Sequence, residues 1–257
     1  MSLVNVDVRD RIARLTLNRP DAGNALNLEL ATELAQAAKG LRGSDVGAVI
    51  LTGAGKSFSV GGDLAWMRAA GDGVREAVLR LATQFHDGLE ALAALDAPLI
   101  TAVRGAAAGG GMSLAIAGDV VLAAQSARFT VAYTAIGFSP DGGSSWTLPR
   151  LVGLRRATEL MLLNERLDAA RAVELGLATR VVADDALDAE ADALAARLAA
   201  GPVTAHGAVK RLLRESATRS FTEQLAEEAR TIADLAGSPA GREGVTSFLD
   251  KRVPSFQ

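Results

Sequence analysis

The sequence contains no cysteine, which excludes disulfide bonds, thiolate zinc sites and a cysteine nucleophile. Histidine is also scarce, since only His86 and His206 occur. No group of His, Asp and Glu residues has the spacing that a metal site needs. We therefore expect no bound metal.

An excess of positive charge is absent as well. With 27 Lys and Arg against 30 Asp and Glu, the formal net charge is −3, which disfavours a general nucleic-acid binder. Local basic clusters at 210–214 and 251–252 are typical of solvated helix faces. No apolar run has the ~18 residues of a membrane span, and the first residues lack a signal-peptide pattern. These features predict a cytoplasmic protein without nucleic-acid or membrane partners.

The first half of the chain alternates short apolar strands with helices. Residues 4–8 and 12–17 alternate polar and apolar side chains around a short turn, which predicts a hairpin. Apolar runs of strand length follow at 46–52, 99–103 and 120–123, with helical spacing between them. This alternation is typical of crossover units that form a largely parallel sheet, buried on both faces.

From about Gly143 onward the pattern becomes almost wholly helical. A break at Gly201-Pro202 separates two of the predicted helices. We predict an α/β core over residues 1–200 and a helical C-terminal region over 201–257. The four predicted helices cover residues 186–200, 203–216, 222–235 and 242–251.

Two segments with few side chains each join a predicted strand to a helix. They are residues 57–64 (SFSVGGDL) and 105–112 (GAAAGGGM). A ligand can approach such backbone closely, and amides at a helix start lack an internal acceptor. Glycines at these places also serve tight turns or close helix packing. If the two loops face each other, two N–H donors could bind a single oxygen, as in an oxyanion hole.

Several separated segments also agree, in order and spacing, with one known family over nearly the whole chain. They are residues 24–27, 49–64, 106–114, 129, 148–153 and 243–251. The chain thus resembles the crotonase superfamily, the enoyl-CoA hydratase/isomerase family. The resemblance implies an α/β spiral of ββα units with mainly parallel sheets and a helical C-terminal trimerisation region. It further implies an acyl-CoA substrate, with no cofactor other than the coenzyme A that the substrate carries.

The resemblance also assigns residues to the site. The amides of Gly62 and Gly110 become the oxyanion donors, and Phe248 and Lys251 match tail positions that reach a neighbouring subunit's coenzyme A. A homotrimer, or a hexamer made of two trimers, is implied. The implied coenzyme A contacts are Asn24, Ala25, Ser59, Val60, Gly61, Gly62, Asp63, Leu64, Phe248 and Lys251.

The implied acid–base groups depart from the hydratase pattern. Relatives that add water use two glutamates, but Ser113 and Tyr133 stand at the matching positions. Neither is an effective base near neutral pH without a partner. Asp141, in a Pro-Asp-Gly-Gly segment, matches an aspartate that moves the proton in double-bond isomerases. One carboxylate suffices to convert a 3-enoyl thioester into the 2-enoyl form.

Alternatives stay open for these residues. Asp141 also fits an ordinary turn aspartate, and His86 fits a solvated histidine on a polar helix face. His86 and Asp141 together match the water-activating histidine and attacking aspartate of 4-chlorobenzoyl-CoA dehalogenases, with Tyr133 at the matching tryptophan position. Atypical hydration and non-catalytic acyl-CoA binding are further hypotheses. Isomerisation leads, with Gly62, Gly110, Asp141, Tyr133 and His86 as the predicted catalytic set.

Overall fold

The fold is described for residues 2–256 by a computed structural model. The strands, in chain order, are β1 (Val4–Arg9), β2 (Ile12–Leu17), β3 (Ala48–Gly53), β4 (Leu99–Val103), β5 (Ala106–Ala108), β6 (Val120–Ala124), β7 (Arg128–Thr130), β8 (Leu167–Asp168) and β9 (Arg180–Val182). The helices are α1 (Leu28–Gly40), α2 (Leu64–Ala69), α3 (Val74–Ala93), α4 (Gly110–Ala115), α5 (Ser144–Val152), α6 (Leu154–Leu163), α7 (Ala169–Glu174), α8 (Leu187–Ala199), α9 (Val203–Glu215), α10 (Phe221–Gly237) and α11 (Pro239–Leu249).

The larger sheet has six strands in the order β1-β2-β3-β4-β6-β9. The β1–β2 hairpin is antiparallel, as predicted, and the other neighbours pair in parallel. Strand β3 is buried along its whole length because both faces of the sheet are covered. Val49 and Leu51 join the core that contains α1, whereas Ile50 on the opposite face packs in the cluster that contains α8. The predicted mixed α/β fold with a mainly parallel sheet is confirmed.

A smaller sheet, in the order β5-β7-β8, was not predicted as such. The glycine-rich pattern of residues 105–112 predicts a loop, but residues 106–108 form β5, which pairs in parallel with β7. Beyond Gly143 the chain is almost wholly helical, as predicted, but it also contains the unpredicted strands β8 and β9, and β9 extends the larger sheet. Strands of two or three residues are too short to show a period of two.

The C-terminal helices were predicted to within a few residues of their ends. Helix α9 docks on the core through Lys210, whose Nζ lies 2.8 Å from Asp119 and donates to the Ala97 carbonyl. Helix α10 has no buried residue, and its Phe221 is 79% exposed. The predicted boundary after residue 200 falls between α8 and α9 and stays a prediction. Among residues 2–256, no helix combines the length and the apolar character needed to cross a membrane.

Candidate active site

The two glycine-containing loops run side by side. Ser59 donates its amide to the Ala106 carbonyl, and its own carbonyl accepts from Ala108, both at 3.0 Å. Ser59 and Ala107 therefore face each other in parallel register. Gly62 and Gly110 each lie three residues beyond that pair. The pairing therefore places the two glycines on neighbouring segments of the chain.

Direct backbone contact explains why glycine occupies these loops. A Cβ atom on Gly61, where φ is +90°, would lie 2.6 Å from the Ala108 carbonyl oxygen and 3.3 Å from the Gly110 nitrogen. A Cβ atom on Gly111 would lie 2.2 Å from the Ser59 carbonyl oxygen. Side chains at either position would force the loops apart. The close approach of the loops thus depends on these residues.

The amides of Gly62 and Gly110 are available to a ligand. Leu26 bonds the residues on either side of Gly62 but leaves the Gly62 amide itself unbonded. The Gly110 amide likewise has no acceptor among residues 2–256. Both glycines line one cavity of about 580 Å³. Two residues with unpaired N–H donors, on adjacent loops, therefore line the same cavity.

A buried asparagine holds the first loop in place. Asn24 has φ +56° and donates through Nδ2 to the carbonyls of Ala54 and Ser57, at 2.9 and 2.8 Å, while its Oδ1 accepts from Arg19. The hydroxyl of Ser59 donates to the Asn24 carbonyl at 2.8 Å. Both residues are fully buried, so their side chains support the loop and offer no surface to coenzyme A. Of the other residues predicted to contact coenzyme A, Ala25 is also buried, whereas Val60 and Leu64 are exposed.

Asp63 links the same loop to α2. Its carboxylate caps the helix by accepting from the Trp66 amide at 3.0 Å, and it pairs with Arg19, also at 3.0 Å. Burial opposes ionisation of this carboxyl, but the Trp66 amide and the Arg19 guanidinium outweigh it and hold the pKa of Asp63 below its usual value. The Asp63 carboxylate therefore has a structural role, because its oxygens already bind Trp66 and Arg19.

Asp141 and His86 come together across 55 residues of sequence. His86 Nε2, on α3, lies 2.5 Å from Asp141 Oδ1, in the loop before α5. The two side chains are 46% and 36% exposed, respectively. Asp141 lines the cavity, but His86 does not. Asp141 therefore belongs to the cavity wall, and its carboxylate contacts an imidazole that is not part of that wall.

The residues at the glutamate positions supply no second base. Ser113 Oγ donates to the Asp141 carbonyl at 2.8 Å and lies 3.3 Å from the Tyr133 hydroxyl. Burial, with the nearby charge of Asp141, raises the pKa of Tyr133 to about 12. The phenol therefore stays protonated at neutral pH and can donate a hydrogen bond, but it cannot accept a proton from a substrate.

The remaining wall of the cavity is mostly apolar and comes largely from α3. Periodicity predicted that helix, but it could not tell side chains that face the core from those that face a cavity. Phe248 and Lys251 do not line the cavity. Within the described residues, no group of three or more His, Asp or Glu side chains could hold a metal ion. The α3 residues that line the cavity are Val74, Arg75, Val78, Leu79, Leu81, Ala82 and Phe85.

Comparison with known proteins gives matches along the whole chain. A family model described as Enoyl-CoA hydratase/isomerase matches residues 7–257. A protein named Probable enoyl-CoA hydratase from Rhodobacter capsulatus is 41% identical, over 98% of this chain and 97% of its own. The 1,2-epoxyphenylacetyl-CoA isomerase of Escherichia coli is 39% identical, over 100% and 98%. The crystal structure of an enoyl-CoA hydratase from Polaromonas sp. JS666 has a TM-score of 0.95 at 32% identity and covers 99% of each chain.

Proposed function

The chain belongs to the enoyl-CoA hydratase/isomerase family, and we propose that it converts 3-enoyl-CoA into 2-enoyl-CoA with Asp141 as the acid–base group. One observation carries this proposal. A single cavity is lined by the glycines with the two unpaired amides and by Asp141, and no second carboxylate lines it among the described residues. That set of groups fits a reaction that moves one proton within the substrate.

In the proposed reaction the Gly62 and Gly110 amides bind the thioester oxygen. When a proton leaves C2, negative charge develops on this oxygen, and the hydrogen bonds become stronger than in the ground state. Loss of one donor in comparable sites costs about 3 kcal/mol of transition-state stabilisation. The amides therefore favour the enolate without taking part in proton transfer.

Asp141 performs the proton transfer in this proposal. Its carboxylate takes the proton from C2, the electron pair moves to form the C2–C3 double bond, and the former C3–C4 double bond takes up a proton at C4. The acid formed in the first step is partly exposed and exchanges its proton with solvent before it protonates C4, so solvent hydrogen enters at C4 while no water or cofactor is consumed overall. Tyr133 cannot replace it, because its pKa of about 12 keeps the phenol protonated.

Coenzyme A is proposed to lie along the exposed side of residues 60–64, with Ala25 contributing backbone. Phe248 and Lys251 are then supplied by a neighbouring subunit of a homotrimer, alone or paired into a hexamer. Support comes from the apolar side chains that the tail leaves exposed, since Phe248 is 83% and Leu249 73% exposed. Apolar surface of this kind is typical of an interface between subunits.

Proton exchange tests the isomerase proposal. The protein is incubated with 3-enoyl-CoA in deuterated water, and deuterium at C4 of the product is measured. We expect label with the native protein and with Asp87→Asn, a control on α3 whose carboxylate pairs with Lys39. We expect strongly reduced label with Asp141→Asn. Equal exchange by all three proteins would show that Asp141 is not the acid–base group.

The contact between His86 and Asp141 supports a second candidate. In a dehalogenase-type reaction Asp141 would attack the ring of a 4-chlorobenzoyl group, chloride would leave, and water activated by His86 would hydrolyse the resulting aryl ester. The 2.5 Å separation suits that pairing. Chloride release from 4-chlorobenzoyl-CoA tests it, and we expect none, because the imidazole does not line the cavity.

A further inference from the structure

One face of α3 forms a continuous apolar stripe along the cavity. Its members recur at intervals of three or four residues, which places them on one side of a helix. The other side of α3 packs against α1, so the helix is fixed in place. The stripe consists of Val74, Val78, Leu81, Ala82 and Phe85.

The stripe begins at the proposed reaction centre and leads away from it. Phe85 Cε1 would lie 3.6 Å from a Cβ atom on Gly110, one of the proposed oxyanion donors. Val74 precedes Phe85 by eleven residues, which at a rise of ~1.5 Å per residue is about 16 Å, the length of an extended chain of about twelve carbons. Exposure increases from 2% at Phe85 to 37% at Val74.

Little charge lies along this path. Arg75 and Asp141 are the charged residues that line the cavity within the described chain. Asp141 lies at the reaction end, and Arg75 pairs with Glu76 at 2.8 Å while its side chain is 80% exposed. Between Phe85 and Val74, the first cavity therefore offers no unpaired positive charge to a carboxylate on the acyl group. The lining fits an uncharged hydrocarbon.

The volume of the cavity exceeds the needs of a short acyl group. At about 580 Å³ it lies within the range of about 300–1,000 Å³ that is typical of sites for drug-sized ligands, which are much larger than a four-carbon group. A second cavity of about 300 Å³ adjoins the outer end and shares Met67, Val74 and Phe138 with the first. The space thus continues beyond Val74, where Arg68 joins the lining, so the uncharged stretch ends near Val74.

We propose that α3 sets the preferred length of the acyl group, an uncharged hydrocarbon chain of about eight to twelve carbons. Ala82, three residues from Phe85, limits chains near the reaction centre, and Val78, seven residues from Phe85, limits longer ones. The proposal rests on the proposed function only in assigning the cavity to the acyl group. It does not depend on which reaction follows.

Binding of saturated acyl-CoAs, which have no double bond to move, tests the length preference directly. Dissociation constants of butanoyl-, hexanoyl-, octanoyl-, decanoyl- and dodecanoyl-CoA are measured by calorimetry. We expect decanoyl-CoA to bind at least about tenfold more tightly than butanoyl-CoA, because each added methylene leaves water. Equal affinity for all five would overturn the proposal.

Two substitutions test the positions along the helix. Ala82→Phe should remove the gain in affinity beyond butanoyl-CoA, whereas Val78→Phe should preserve the gain up to octanoyl-CoA and remove it for dodecanoyl-CoA. Thr83→Phe is the matched control, since this exposed neighbour of Ala82 does not line the cavity and should leave the series unchanged. If Ala82→Phe is poorly folded by circular dichroism, Ala82→Leu replaces it. Loss of the gain at the same length in both variants would refute the proposed order along α3.

The two proposals fail in different ways. If affinity follows chain length but no 3-enoyl-CoA is isomerised, the length proposal stands and the isomerase proposal falls. If 3-enoyl-CoA is isomerised but affinity is independent of length, the isomerase proposal stands and the assignment of α3 is wrong.

Discussion

The site has a backbone part and a side-chain part, and they are held in different ways. The Gly62 and Gly110 amides lie on loops fixed by fully buried residues, such as Asn24 and Ser59. The His86 and Asp141 side chains are 46% and 36% exposed, and each can be exchanged without rebuilding the backbone. A scaffold of this kind can keep one way of stabilising charge while its side chains change the reaction. In this account the backbone part stabilises charge on an oxygen, and the side-chain part determines which reaction follows.

The most damaging change predicted by this contrast lies in the backbone part. Gly111→Ala places a Cβ atom 2.2 Å from the Ser59 carbonyl oxygen, so the paired loops must separate. We expect a loss of about 3 kcal/mol in the free energy of unfolding and no measurable turnover. Denaturant unfolding and the isomerase assay check this. Gly40→Ala is the control, because nothing lies within 4 Å of its Cβ position. Native-like stability and activity of Gly111→Ala would contradict the close approach of the loops.

The side-chain part should fail differently. Asp141→Asn removes the acid–base group from an exposed position, so we expect kcat for isomerisation to fall by about 10²–10⁴-fold. Binding of saturated acyl-CoA should stay within about threefold of the native value, because the amides and the apolar wall are unchanged. Steady-state kinetics and calorimetry separate the two effects. A variant that retains a tenth of native kcat would refute the role of Asp141.

Loss of Asn24, which holds the loop that carries the Gly62 amide, should have an intermediate effect on stability. Asn24→Ala leaves the buried carbonyls of Ala54 and Ser57 without their donor. We expect a loss of about 2 kcal/mol in the free energy of unfolding, measured in urea. Since Asn24 touches no substrate in this account, the remaining folded protein should still bind coenzyme A. A change below about 0.5 kcal/mol would show that other contacts hold the loop.

A smaller effect is expected at His86. Because the imidazole contacts Asp141 but does not line the cavity, we expect His86→Gln to reduce kcat for isomerisation by no more than about tenfold, with KM nearly unchanged. The dehalogenase-type reaction, in contrast, would lose its water-activating group. A loss in isomerisation as large as that of Asp141→Asn would assign His86 a direct catalytic role.

The smallest effect concerns Tyr133, the only tyrosine in the chain. Its pKa of about 12 should appear directly as the midpoint of the rise in tyrosinate absorbance. Because the folded pKa lies above the unfolded value of about 10, the contribution of Tyr133 to stability is fully present below about pH 10 and is lost as pH rises through about 12. A midpoint near 10 would place the phenol in water.

Local patterns in the sequence predicted the β1–β2 hairpin, the C-terminal helices and the two glycine-containing loops. They did not reveal β9, whose three residues become a strand only by pairing with β6. The contact between His86 and Asp141 joins groups 55 residues apart, and only the resemblance to a known family had paired them. The sequence also could not show which face of α3 lines the cavity, because apolar side chains occur both in the core and along the cavity.

The infrared spectrum of a bound acyl-CoA labelled with ¹³C at the thioester carbonyl tests the central claim most directly. If the amides of Gly62 and Gly110 both donate to that oxygen, the carbonyl stretch must shift to lower frequency on binding, because hydrogen bonds weaken the double bond. The shift should persist in Asp141→Asn, whose backbone is unchanged. A carbonyl frequency equal to that of free acyl-CoA in an apolar solvent would contradict the proposed site.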